Sequence, residues 1–197
     1  MDISAELVKK LREMTGVGFM ECKNALSEAK GDLAAAVTIL RKKGLSAVAK
    51  KAGRETKEGL IGCYVHNGKI GVMVEVNCES DFVARNAEFQ ALVKDIAMHI
   101  AASDPRFLRK EDVTDAVLAA ERDIYMEQAR TTGKPENVLG KIVDGRMAKF
   151  YTEACLLEQP FVKDMSISIK ELIAGHIQKI GENIQIRRFV RYRLGGE

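Results

Sequence analysis

Residues 60–76 read LIGCYVHNGKIGVMVEV, two β-rich runs, LIGCYVH and KIGVMVEV, divided by Asn67-Gly68. More of the architecture follows from these residues than from any others. Asn-Gly is preferred by the type I′ turn, because both central residues need positive φ and the twist of that turn matches two right-twisted strands. A tight antiparallel hairpin is therefore expected, with His66 opposite Lys69 and Cys63 opposite Val72.

Downstream of the hairpin the period changes. After NCESD, residues 77–81, apolar positions recur at helical spacing through Phe89, Leu92, Val93, Ile96 and Ile100, until Asp104-Pro105 ends the run. Further helices are expected from Asp115 to Arg130, stopped by Gly133, and from Pro135, at a first-turn position, to about Tyr151. A last one, from Ile169 to Ile180, leads into NIQIRRFVRYRL, residues 183–194, whose period-two alternation reads as a strand. Strands and helices arranged in this way specify an α+β domain, a small antiparallel sheet packed against helices.

Upstream the pattern is purely helical. Ser4 can cap a first helix with Leu7, Val8, Leu11 and Met14 on its apolar stripe and Thr15-Gly16 at its end. A second, from Phe19 to Ala29, places Cys22, Ala25, Leu26 and Ala29 together, with Gly31 as its stop. Asp32 then caps a third, with Leu33, Ala36, Val37 and Leu40 inward and Gly44 after it. The polar stretch KKAGRETKEG, residues 50–59, reads as a linker, so a three-helix domain over 1–52 and an α+β core over 53–197 are expected.

Composition narrows the function. In 197 residues, 31 Lys and Arg against 28 Asp and Glu give a formal charge of +3, too near balance to argue for nucleic acid. No apolar run approaches the roughly 18 residues of a membrane span, and MDISAELVKK lacks an apolar signal core. A soluble, cytoplasmic protein is expected. Four cysteines, Cys22, Cys63, Cys78 and Cys155, form no close pair and read as free thiols.

The motifs carry little catalytic chemistry. TGVGFMECKNAL, residues 15–26, offers two glycines before a lysine, but a phosphate loop follows a strand and ends in Gly-Lys-Ser/Thr, whereas here a helix precedes and Asn24 follows Lys23. Gly16 and Gly18 either serve only a tight helix connection, or they frame an outward face on which Met20 and Lys23 meet a partner. Cys63, His66 and Cys78 do not make a zinc site: Cys63 and His66 point to opposite faces, and Cys78 lies roughly 20 Å along the strand from Cys63's partner. His66, His99 and His176 have no nearby nucleophile motif.

ESDFVARN, residues 79–86, admits two readings. In one, Ser80 or Asp81 caps a helix while Phe82 folds back as a staple into the core; in the other, Phe82 is an exposed aromatic wedge. Arg187, Arg188, Arg191 and Arg193 on the last strand similarly suit RNA binding or a strand edge guarded by charge.

TGVGFMECKNAL, VNCESDFVARN, DIAMHIAAS, GRMAKF, QPFV and KIGENIQIRR, in this order across nearly the whole chain, closely resemble the bacterial elongation factor Ts family. The resemblance implies a guanine nucleotide exchange factor of elongation factor Tu, which is not an enzyme in the bond-making sense and needs no cofactor or metal of its own. It implies that residues 1–52 are a ubiquitin-associated-like bundle whose Met20 and Lys23 contact the partner's nucleotide-binding domain. Ser80, Asp81, Phe82 and Val83 match the segment that dislodges Mg²⁺ from the partner, while His66 and Ile180 match positions touching another helix of it. Phe19, Glu21 and Ser80 stand where many relatives carry methionine, aspartate and threonine. Both sets of contact residues fall on a single core, as in short members of the family, which implies a homodimer. Each Tu molecule would then meet Asp81 and Phe82 of one protomer and His66 and Ile180 of the other. No direct nucleic-acid or membrane binding is expected.

Overall fold

Asn67 and Gly68 both adopt positive φ, 50° and 66°, and the Lys69 N–H donates to the His66 carbonyl at 2.9 Å. The chain thus reverses where the Asn-Gly pair requires it, since glycine takes this region without steric cost and asparagine with little. The strands on either side, β1 (Glu58–His66) and β2 (Ile70–Cys78), are those expected. The computed structural model describes residues 3–131 and 135–196; the expected stop at Gly133 lies outside them.

Three helices precede the hairpin: α1 (Ala5–Thr15), α2 (Phe19–Glu28) and α3 (Leu33–Lys51). Their ends obey local capping chemistry. Ser4 accepts the Leu7 N–H at 3.3 Å, and Asp32 accepts those of Ala34 and Ala35 at 2.8 and 3.0 Å, satisfying amides that have no partner within a helix. Val8, Leu11, Val17, Cys22, Ala25, Leu26, Ala36 and Leu40 bury one another. Met14, placed by periodicity on the inner stripe, is instead exposed.

Gly44 does not end the third helix, which runs on to Lys51. A Cβ at Gly44 would lie 3.1 Å from the Gln178 side-chain oxygen and 3.6 Å from the Ala174 carbonyl. Its missing side chain therefore admits a neighbouring helix, a gain that offsets the ~1 kcal/mol helix-propensity cost of glycine.

After β2 come a single turn, α4 (Asp81–Ala84), and α5 (Ala87–Ser103). Phe89, Leu92, Val93, Ile96 and Ile100 on α5 are all buried, as their spacing predicts. Helix α6 (Asp115–Arg130) and helix α7 (Glu136–Ala154) follow. Pro135 is the N-cap of α7 rather than a first-turn residue. A short ladder, β3 (Pro160–Phe161) with β4 (Asp164–Ser168), has no counterpart in the sequence reading. Two residues are too few to show a period. Helix α8 (Ile169–Ile180) and strand β5 (Gln185–Arg193) close the chain, and the sheet order is β1-β2-β5. The fold is α+β.

Two compact units interleave along the sequence. One comprises residues up to Ile61 with Glu75–Val93 and Lys170–Arg187; the other comprises Gly62–Val74, Lys94–Ile169 and the residues from Arg188. In the second, α6 and α7 bury Ala129, Val143, Met147 and Phe150 against Val113 and Cys155.

Candidate functional site

The turn between β2 and α5 is built by its own first residues. Ser80 is extended (φ −129°, ψ 154°) and its hydroxyl accepts the Val83 N–H at 3.4 Å, starting α4. Successive residues of a helix are rotated by about 100°. Val83 and Ala84, at 5% and 6% exposure, take the inner side, and Phe82 is left 80% exposed. Of the two readings of this segment, the cap at Ser80 is present and the staple is not. Asp81 is exposed as well, its Oδ2 2.9 Å from Arg85 Nη2.

The segment is anchored at its root by Glu182. One carboxylate oxygen, Oε2, accepts the backbone N–H groups of Glu79 and Ser80 at 3.1 and 3.0 Å, and Oε1 accepts the Ser80 hydroxyl at 2.6 Å. Glu79 answers in kind: its Oε1 accepts the Asn183 N–H at 2.6 Å and lies 3.5 Å from Arg54 Nη1. Cys78 donates its S–H to the Ser80 carbonyl at 3.1 Å. Burial, with the nearby Glu182 charge second, pushes that thiol up to about 11, so it stays a protonated donor. Gly181, just past α8 at φ 89°, supplies the left-handed step that lets the chain leave the helix and present Glu182.

Helix α8 also reaches the N-terminal helices. Gln178 Nε2 donates to Glu21 Oε2 at 3.3 Å, and Lys51 Nζ donates to the Gly181 carbonyl at 2.7 Å. On α2, Cys22, Ala25 and Leu26 are buried, which turns Met20, at 61% exposure, and Lys23 outward. Ile180, the last residue of α8, is half-buried. Ser80, Asp81, Phe82, Val83, Met20, Lys23 and Ile180 thus belong to one unit, with α8 in contact with α2 and leading into the anchor of the Phe82 segment. His66 belongs to the other unit. It is exposed at the end of β1, with Nδ1 3.1 Å from the Tyr64 hydroxyl and Nε2 3.3 Å from Asn67 Nδ2.

Three of the remaining candidates, His99, Arg187 and Arg191, are occupied with structure. His99 is fully buried; its Nε2 is 2.9 Å from Gln159 Oε1, and its Nδ1 accepts the Val162 N–H at 3.3 Å. Burial holds its pKa below the ordinary histidine value, so it is a neutral core residue. Arg187 Nε lies 3.7 Å from Glu75, and Arg191 pairs with Asp104 at 2.9 Å while donating to the Ala101 carbonyl. Among the described residues, no three His, Cys, Asp or Glu side chains converge in a way that could hold a metal. What the first unit presents is an aromatic ring, Phe82, projecting into solvent from a turn braced by Glu182. Glu182 was missed as a site residue in the sequence although it lies inside KIGENIQIRR; the local signals there are that motif and Gly181, which marks where a helix stops.

A family model described as Elongation factor TS matches residues 30–195. A protein of Solibacter usitatus named Elongation factor Ts is 60% identical over 98% of this chain and 92% of its own length. The protein of that name from Koribacter versatilis is 59% identical over 99% of this chain and 90% of its own. That from Fervidobacterium nodosum is 57% identical over 99% of this chain and its entire length.

Proposed function

This chain belongs to the elongation factor Ts family, whose place is in translation elongation, and on that basis we propose that it is the guanine nucleotide exchange factor of elongation factor Tu. The observation that carries the reading is Phe82, 80% exposed on a turn whose neighbours Val83 and Ala84 are buried. A large ring held in water has most of its burial free energy, about 1.5–3 kcal/mol, still to be released on a partner.

GDP is held in a GTPase partly because Mg²⁺ offsets its phosphate charge and fixes the oxygens around it. Insertion of Ser80, Asp81, Phe82 and Val83 among the partner's helices displaces the groups that hold the metal and raises the free energy of bound GDP. The nucleotide then leaves faster. By linkage GDP weakens the factor's grip by the same ratio as the factor weakens that of GDP, and GTP binding releases the factor. No covalent bond changes, so the protein needs no acid, base, nucleophile or cofactor.

Met20 and Lys23, on a bundle of ubiquitin-associated type formed by residues 1–52, contact the partner's nucleotide-binding domain; His66 and Ile180 of the 53–197 core touch another helix of it. The protein acts as a homodimer, with the two sets of core contacts supplied to each Tu by different protomers. In support, Val65, Met73, Val190 and Tyr192 are exposed on the strands, apolar surface on the sheet that contact with a second copy would bury in part. The test is release of a fluorescent GDP analogue from elongation factor Tu in stopped flow. Acceleration that saturates with factor concentration is expected, and an unchanged release rate refutes the reading.

A further inference from the structure

We infer that Glu182 is a positioning residue for the Asp81-Phe82 turn: its carboxylate sets the direction in which Phe82 projects without itself meeting the partner. This rests on the exchange-factor reading above and adds to it Glu182, which lies inside KIGENIQIRR but to which the resemblance assigns no role. Helix α4 is one turn long and cannot hold its own orientation, because a single turn fixes several dihedrals for about one hydrogen bond. Its inner side chains, Val83 and Ala84, set which face is buried but leave the tilt of the turn free to vary.

The tilt is set at residues 79 and 80. Both backbone N–H groups converge on one Glu182 oxygen, at 3.1 and 3.0 Å, while the other oxygen takes the Ser80 hydroxyl at 2.6 Å. Three donors on one carboxylate determine the plane of the peptide entering the turn as well as its distance. The same hydroxyl caps Val83, so the Glu182 contact orients the atom that begins the helix. The clamp is reciprocal, since Glu79 accepts the Asn183 N–H at 2.6 Å, and Asn183 Nδ2 donates to the Arg54 carbonyl at 3.0 Å. Neither end can swing without breaking bonds at the other. Phe82, two residues beyond the clamp, has no support of its own in water; its direction is inherited.

The experiment compares Glu182→Ala, Glu182→Gln and Glu182→Asp in GDP release from elongation factor Tu, with amide hydrogen exchange on the free protein as a second readout. Glu182→Ala should raise the exchange rates of the Glu79 and Ser80 amides. It should lower the maximal GDP release rate by at least about tenfold, the factor that ~1.4 kcal/mol of lost orientation produces. Glu182→Gln, which keeps an acceptor at full reach, should restore most of both readouts. Glu182→Asp keeps the charge but withdraws the acceptor by ~1.5 Å, and should not. Combined with Phe82→Ala, Glu182→Ala should slow release no further, because both act through one ring.

The inference is overturned if Glu182→Ala releases GDP as the wild type does, if Asp rescues better than Gln, or if the two alanine effects multiply. Should Glu182→Ala fail to fold, the order of Gln and Asp decides. A wild-type protein that does not accelerate release at all would refute the exchange reading instead, while the amide rates still report on the clamp.

Discussion

Phe82 and Val83 are adjacent in sequence and opposite in environment, 80% and 5% exposed, so alanine at each should separate function from stability. Phe82→Ala removes a ring that touches mostly water in the free protein, and surface truncations of that kind stay within about 0.5 kcal/mol. For a chain of this size the shift in Tm is then below ~2 °C. The same ring, once buried in a partner, is worth about 1.5–3 kcal/mol. If that is realised only as the metal site opens, the maximal rate of GDP release falls about 10- to 150-fold. Val83→Ala deletes two buried methyl groups, about 1.6 kcal/mol at 0.8 per carbon, and should lower Tm by ~3–6 °C. Its exchange rate below the melting range should fall less than that of Phe82→Ala, because Val83 enters the partner as part of the segment while its own side chain stays 5% exposed in this protein's core. Stopped-flow release of a fluorescent GDP analogue and thermal melts on the same samples supply all four numbers. A large loss of stability in Phe82→Ala with no loss of exchange would refute the assignment of the exposed ring as the working part.

The buried His99 predicts an acid-side loss of stability. Its pKa in the fold lies below the ordinary 6.5, so the unfolded chain binds the proton more readily; the stabilisation is complete above about pH 6.5 and is lost as pH falls below it, by at most ~1.4 kcal/mol per pH unit. Melts between pH 7.5 and 5 should show this slope, and His99→Gln should flatten it. Thiol labelling at pH 8 should modify the exposed Cys63 first, because Cys22, Cys78 and Cys155 are buried and burial pushes the last two up to about 11. Rapid native labelling of Cys78 would contradict its place beside Glu182. Sedimentation at micromolar concentration should give a dimer, and Tyr192→Glu, which adds a charge to the exposed strand set, should shift it towards monomer; a wild-type monomer would remove the shared-site proposal.

Where elements begin and turn was legible in the chain because those signals act within a few residues. Asn67-Gly68 carries the φ values its hairpin needs, and Ser4, Asp32 and Ser80 each cap the helix that follows by reaching an amide two or three positions on. The apolar rows of α2 and α5 obey a period that any helix imposes, and the free cysteines follow from their wide spacing. The recurrence of whole motifs in order was enough to name the family.

What lay beyond the sequence depends on groups brought together from far apart. Gly44 reads locally as a stop, yet it is a place where Gln178 and Ala174 crowd a helix that continues. Phe82 could be staple or wedge until Val83 and Ala84 were seen to occupy the inner side, and a local reading cannot say which of three neighbours the core will accept. Glu182 meets its amides 103 and 102 residues away in the chain. No period or cap rule spans such a distance: hydrogen-bond partners at that separation are chosen by how the elements pack, so the brace behind the exposed ring exists only in three dimensions.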